Sequence, residues 1–451
     1  MSLEQVSRYD RRRVSEMGNE AIVIGGSMAG LMAARVLDDA FDEVVVIERD
    51  QLPTEPEPRP GVPQSTQPHI LRMPIKVVLE DLFPGYGEQL VSNGGIKFDA
   101  SKDMQTFAAG EYINGTSFCP VHSASRPLVE HVVRRQIRTF DSIRIMENCH
   151  FIDYLWGEEQ ERVTGVKVKH GEREECEMVA DLVVDATGKT SRTPRLIEKR
   201  GYDRPPVDER QIDGAYTSML VNRPPDDRRH LLIPFSPPDR TAAGGAIPIE
   251  DDRFLVAVGG LYEEYPAADL EECMEFAADL PSSEIRQILE QYDIVDGSLE
   301  HYPFPSSMLR RYELLDEFPE RLVVIGDAIA SLNPAYGRGL SVAAMEAVQL
   351  HQCLSEGLEG ISRRYFDQIE PIVSESWSVT ARDLLFPQSS EEQSTTSKVI
   401  DKYIDLLKDA ASDDPMIADE YMRVSLMEKS PKALYRPVIA WRVLRNQAIP
   451  Y

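Results

Sequence analysis

The first sharp pattern in the chain is an apolar run, Ala21–Ile24, that stops at Gly25 and Gly26. A helical segment, Leu31–Leu37, follows, and then a second apolar run, Val44–Ile47, that closes on Glu48. Strand, glycine turn, helix and strand within about 30 residues make a βαβ unit, and strands without polar alternation belong to a parallel sheet covered on both faces. The same design returns at Asp181–Gly188 and Leu322–Asp327, which are expected in that first sheet. Between them, 215–221, 231–235, 243–249 and 254–259 have two-residue periodicity, which predicts an antiparallel sheet inserted between parts of the first unit. The spacing predicts helices near 75–82, from Arg126 to Arg134 and over 341–354, and a mostly helical region from Ser362 to about Arg445, interrupted at 388–397. The runs 143–146, 151–156 and 163–168 read as one meander. Leu52–Pro68 is too rich in proline for regular structure and reads as a long surface or site-lining loop.

At 451 residues the chain is long enough for two or three structural units, and its 42% hydrophobic residues are sufficient for real cores. A formal charge of −27 repels nucleic acid and anionic lipid alike. Only 12 of the 49 basic residues are Lys, and with carboxylates dominant this suggests a halophilic protein suited to a salty cytoplasm. Five scattered cysteines without a C-x-x-C pair fit reduced thiols and a cytoplasmic location. No apolar run reaches membrane-spanning length, and residues 1–19 read as a loosely held extension. No zinc-type or Ser/His/Asp constellation stands out, so no metal is expected.

The chemistry concentrates at a few motifs. Gly25 permits a sharp turn, Gly30 permits close packing of helix on strand, and the backbone of Ser27, Met28 and Ala29 opens a helix whose N–H groups attract a pyrophosphate. Ser27 stands where a middle glycine is usual. Glu48, 18 residues after Gly30, is placed to accept from an adenosine ribose and disfavours a 2′-phosphate. Arg49 follows it.

Three segments resemble the single-component FAD-dependent monooxygenases, the family of aromatic hydroxylases and polyether epoxidases: 21–49, D-L-V-V-D-A-T-G-K-T-S-R at 181–192, and the stretch from Leu322 to Ala344. The loop R-P-G-V-P-Q at 59–64, with His69 beyond, resembles the epoxidase branch in particular. The resemblance implies FAD as cofactor, possible NAD(P)H as transient reductant or a separate reductase as partner, and oxygen transfer from a flavin C4a-hydroperoxide to an alkene or aromatic ring. It implies that Asp327, after Gly326, meets a ribityl hydroxyl, that Pro334 lies near the isoalloxazine, and that Gly337, Gly339 and Leu340 open a helix at the flavin edge. It implies cofactor contacts for Gln64, Arg126, Asp185 and Gly188. In Asp185–Gly188 two residues separate the Asp from the Gly, which departs from the hydroxylases.

The fold class is therefore expected to be α/β, with a Rossmann-like FAD-binding domain (20–70, 115–210, 311–360), an inserted antiparallel substrate domain (71–114, 211–310) and C-terminal helices (361–451). Tyr216, Met219, Phe235 and Tyr262 are expected on the substrate wall. Aromatic residues of the C-terminal region, Trp441 among them, suit a cap over the cavity or a dimer surface. Other readings are a geranylgeranyl reductase-like enzyme, echoed in His301–Tyr302–Pro303–Phe304–Pro305, a halogenase, whose W-x-W-x-I-P is missing, and a non-catalytic FAD-binding protein.

Overall fold

The structure, a computed structural model, describes residues 2–108, 110–113, 115–158, 161–171, 173–235, 240–382 and 395–447. Most of the expected interruption at 388–397 lies outside them, and its last three residues already begin a helix, Thr395–Asp413.

The frame consists of β1 (Gly18–Ile24), α1 (Met28–Leu37), β2 (Phe41–Ile47), α2 (Arg126–Ile137), β3 (Ile143–Met146), β4 (Leu182–Asp185), β5 (Val207–Asn222), β6 (Glu300–Arg310), β7 (Leu322–Val324) and α3 (Gly339–Ser355). Five of these strands form one wholly parallel sheet in the order β7-β4-β1-β2-β3. Ala21, Ile22 and Val23 have no exposed surface, as strands sandwiched by helices require. This is the expected α/β frame. The meander differs from expectation at one strand: Ile143–Met146 pairs in parallel with β2, whereas 149–156, 163–170 and 175–179 form the antiparallel three-stranded sheet. A four-residue strand carries too little pattern to reveal its partner.

The second large sheet has eight strands and is antiparallel except where 230–232 runs beside 104–106. Its longest pairing is β5 with β6. β6 was not expected as a strand because Pro303 and Pro305 interrupt it. It tolerates them because its far side is covered only at Met308 and Leu309, by Ala330–Ser331, so the missing N–H groups fall on an open edge.

The first residues are held, not loose. Leu3 N–H donates to the Met427 carbonyl at 3.0 Å, and the Tyr9 hydroxyl donates to Asp39 at 2.6 Å while accepting from Arg35 at 2.7 Å. The C-terminal helices share a core that includes Leu407, Ile417, Leu434, Ile439 and Val443 and also takes in Ile113. Their attachment to the rest includes Met73 N–H donating to the Leu426 carbonyl and Asp419 accepting from Thr116 and Ser117.

Candidate cofactor and active site

The glycine turn is built by close contact. A Cβ on Gly30 would stand 1.8 Å from the Gly25 carbonyl oxygen, and Gly25 itself, at φ +108°, lies against Ala186 of the neighbouring strand end. Ser27 can replace the middle glycine because its φ is −93°. Its hydroxyl is used: it donates to Glu130 at 2.8 Å and accepts from Arg126 at 3.0 Å. Met28 is core, and Ala29 abuts Gly326, where a Cβ would come within 2.9 Å of the alanine methyl. The first and third motifs thus meet at α1.

Glu48 is buried and accepts from the N–H groups of Gly26 at 2.8 Å and Asp50 at 2.9 Å. Its cationic neighbour is Arg59, at 3.2 Å, whereas Arg49 is exposed and stands 4.0 Å from Asp50. Arg59 also binds Asp50 at 2.7 Å, Glu130 at 2.9 Å and the Gly26 carbonyl at 3.3 Å. Arg126 and Arg134, each about 3.5 Å from Glu130, complete a buried network of alternating charge. The Glu130 carboxyl is held below the ordinary range, desolvation notwithstanding, by Arg126 and Arg59. Arg59 and Glu130 were not singled out from sequence. The available signal was Glu130 one helical turn after Arg126 on α2.

Asp327 lies at the other end. Burial raises its carboxyl pKa, and its contact with Gln64 is a long one, Nε2 to Oδ2 at 3.4 Å. A Cβ on Gly339 would be 3.7 Å from Asp327 Oδ1, and one on Gly188 would be 4.0 Å from its Cβ. The two glycines leave room around a half-buried, underused acceptor. Behind it, Glu346 of α3 accepts from Gly326 N–H at 2.6 Å. The backbone turns at Gly337 (φ +54°), whose carbonyl accepts from Arg72, and Pro334 is exposed on the preceding turn. Leu340 is half-buried at the start of α3.

Asp185 is different in kind. Its Oδ1 accepts from the Thr187 N–H at 2.9 Å and hydroxyl at 2.6 Å, and Oδ2 from the Ser191 and Thr193 hydroxyls, each at 2.5 Å. It staples its own turn. His69 Nδ1–H donates to the Gln67 carbonyl at 2.7 Å, and burial, then Arg126, pull its pKa down to about 4, so the ring is neutral at pH 7.

Of the four residues expected on the substrate wall, three gather. Tyr216, Phe235 and Tyr262 cluster with Ile212, Leu261, Tyr302 and Phe304, and Tyr216 stacks on Phe304 at 4.7 Å between centroids. Burial raises the Tyr302 hydroxyl pKa and the neighbouring Gln64 side chain opposes it, so Gln64 stands beside both this aromatic wall and Asp327. Met219 is a correction: it lies fully buried with Cys273 and Ile288 under helices 270–278 and 284–291. Successive residues of β5 face opposite ways, so Ser218, which accepts from Gln67 at 3.1 Å, and Tyr216 share one face and Met219 takes the other.

The residues present fit a dinucleotide flavin. A helix N-terminus, a buried carboxylate at the end of β2 with acceptor capacity left, a buried Arg126 whose Nε has no partner, and a cradled Asp327 line up from one motif to the other. Residues 19–366 match the FAD binding domain family, and the chain belongs to it. FAD is its cofactor.

Protein Rv3254 of Mycobacterium tuberculosis is 28% identical over 458 residues, covering 96% of this chain and 95% of its own. The p-nitrophenol 4-monooxygenase PnpA from Pseudomonas putida DLL-E4 shares the fold with a TM-score of 0.64 at 17% identity, over 92% of this chain and 99% of PnpA. PqsL, a probable FAD-dependent monooxygenase from Pseudomonas aeruginosa, gives 0.62 at 18% identity, over 81% and 96%. The flavin-dependent brominase Bmp2 gives 0.67 at 15% identity, over 96% and 99%. At such identities the likeness is one of fold. Among the described residues no helix is long and apolar enough to cross a membrane, and no His/Cys/Asp/Glu cluster suits a metal.

Proposed function

We propose that the protein is an FAD-dependent monooxygenase that transfers one oxygen atom of O2 to an apolar alkene or aromatic small molecule, by epoxidation or hydroxylation, the other leaving as water. When bound and reduced, FAD supplies the activation of O2. Two electrons come from NAD(P)H docking transiently or from a separate reductase. The observation that carries the reading is the Asp327–Gln64–Tyr302 link, which sets an aromatic wall beside the acceptor expected to hold the ribityl chain.

The chain's own residues have distinct tasks. The α1 N-terminus and Arg126 would hold the pyrophosphate, Glu48 the adenosine ribose, and Asp327 a ribityl hydroxyl. Gly337, Gly339 and Leu340 would border the ring. The wall formed by Tyr216, Tyr302 and Phe304 orients an uncharged substrate by stacking and excludes water from it. Neutral His69 serves as a hydrogen-bonding group near Arg126. In this division 20–70, 115–210 and 311–360 carry the cofactor, 71–114 and 211–310 shape the substrate side, and 361–451 closes it through contacts such as the Met73 N–H with the Leu426 carbonyl at 3.1 Å.

The test is NAD(P)H oxidation by the purified, FAD-loaded protein, screened with quinols, phenols and polyenes in high salt. The reading expects substrate-stimulated oxidation with a product one oxygen heavier. Protein that takes up no FAD, or whose flavin reduces and reoxidises without any oxygenated product, overturns it.

A further inference from the structure

The C-terminal stretch is opposite in sign to the chain as a whole. In a protein of formal charge −27, residues 429–451 contain five basic residues, Lys429, Lys432, Arg436, Arg442 and Arg445, and no acidic one. This stretch includes the terminal helix Pro437–Gln447. The helix buries Ile439 and Val443 against its neighbours, yet leaves Val438 53%, Trp441 57% and Leu444 61% exposed, with Tyr435 41% exposed just before it. Lys429 and Arg436 lie 2.7 and 3.7 Å from Glu420 and Arg442 pairs with Asp414, so the charge of this surface rests on the exposed Lys432 and Arg445, and the Arg445 guanidinium lies 5.3 Å over the Trp441 ring.

Large apolar side chains exposed together at helical spacing, bordered by aromatic rings and long basic side chains, make the surface chemistry of an interfacial helix. Trp and Tyr favour the headgroup level, and Arg and Lys reach phosphates while their stems stay on apolar ground. We propose that this helix docks the protein, edge-on, on the surface of a bilayer rich in anionic lipid. An 11-residue helix already half buried cannot span.

The overall negative charge does not forbid this. Screening confines electrostatics to about 10 Å at 0.1 M salt, so the basic patch is what the surface meets. A second copy of the chain fits less well. Two-fold pairing would set identical basic rims face to face, and docking on another copy's acidic flank would not close. The proposal is independent of the oxidation chemistry.

The experiment is flotation of the full-length, FAD-loaded protein with phosphatidylcholine vesicles, with and without phosphatidylserine. Binding is expected to the anionic vesicles, to weaken with salt, and to fall at least about tenfold in either Trp441→Ser with Leu444→Ser or Lys432→Glu with Arg445→Glu, since each basic residue near such a surface is worth about fivefold. These exposed substitutions leave flavin absorbance and melting temperature as in the parent, which certifies folding. Absence of binding to anionic vesicles, or binding that neither pair weakens, overturns the proposal. So does a concentration-dependent dimer in sedimentation velocity that the Trp441 and Leu444 substitutions dissolve.

Discussion

Arg59 and Glu130, 71 positions apart, meet through Nε and Oε1 at 2.9 Å, and the same guanidinium reaches Asp50 at 2.7 Å and Glu48 at 3.2 Å. One cation from the proline-rich loop thereby bridges three carboxylates beside the glycine turn, with Arg126 and Arg134 adding charge at Glu130. Arg59→Ala strands them in a buried setting, so it is expected to destabilise the fold by about 3–5 kcal/mol and to lower FAD content on purification. Thermal melting and flavin absorbance check this; Arg59→Lys, lacking the fork, should recover only part of both.

Asp327 separates cofactor binding from folding. Because burial disfavours its charged form, Asp327→Asn should leave the melting temperature of the apoprotein unchanged or raised. The same change should weaken FAD binding at least about tenfold, or about 1.4 kcal/mol, through loss of a charge-assisted acceptor. Titration of apoprotein with FAD reads the second effect.

Glu346 introduces a pH dependence. Its carboxyl is pushed up to about 8 by burial, opposed in part by the bond from Gly326 N–H and reinforced by Asp327. The folded protein therefore holds a proton that the unfolded chain releases at ordinary carboxyl pH. This contribution to stability is complete below about pH 4.5, declines as pH rises and is gone above about 8. Glu346→Gln should flatten that decline, so that the variant's melting temperature gains on the parent's between pH 6 and pH 9. A variant that tracks the parent at every pH would contradict the assignment.

The two faces of β5 and its neighbour β6 should respond differently. Met219→Ala opens a cavity in the core under helices 270–278 and 284–291, and a loss of about 2–5 kcal/mol is expected with little change in substrate KM for the protein that remains folded. Tyr302→Ala should raise KM or uncouple reductant use from product formation, with a smaller effect on melting. Steady-state kinetics with product quantification distinguishes them.

The net charge of −27 makes a fifth expectation: the melting temperature rises with KCl into the molar range as self-repulsion is screened. A flat response would remove the halophilic reading.

Local pattern was sufficient wherever the physics is local. Apolar runs revealed β1, β2, β4 and β7, and Gly25 and Gly30 marked a turn in which Gly30 must clear the nearby Gly25 carbonyl, although the approach of Ala186 to Gly25 comes from the packing of β4 beside β1. Glu48 and Asp327 were legible because each sits at the end of such a strand. Arg49 and Arg59 look equivalent in sequence, and only the path of the proline-rich loop decided which reaches Glu48.

The chain by itself determined a dinucleotide turn, a parallel α/β frame, an inserted sheet and the acidic surface, because these follow from periodicity, glycine placement and composition. Tertiary structure alone decided that Ile143–Met146 joins the parallel sheet, that Met219 faces away from Tyr216, and that Gln64 joins Asp327 to Tyr302. Each of these depends on register or on contacts between residues tens to hundreds of positions apart. A side chain's neighbours across such distances are set by how the layers pack, and a one-residue shift reverses the face on which it lies.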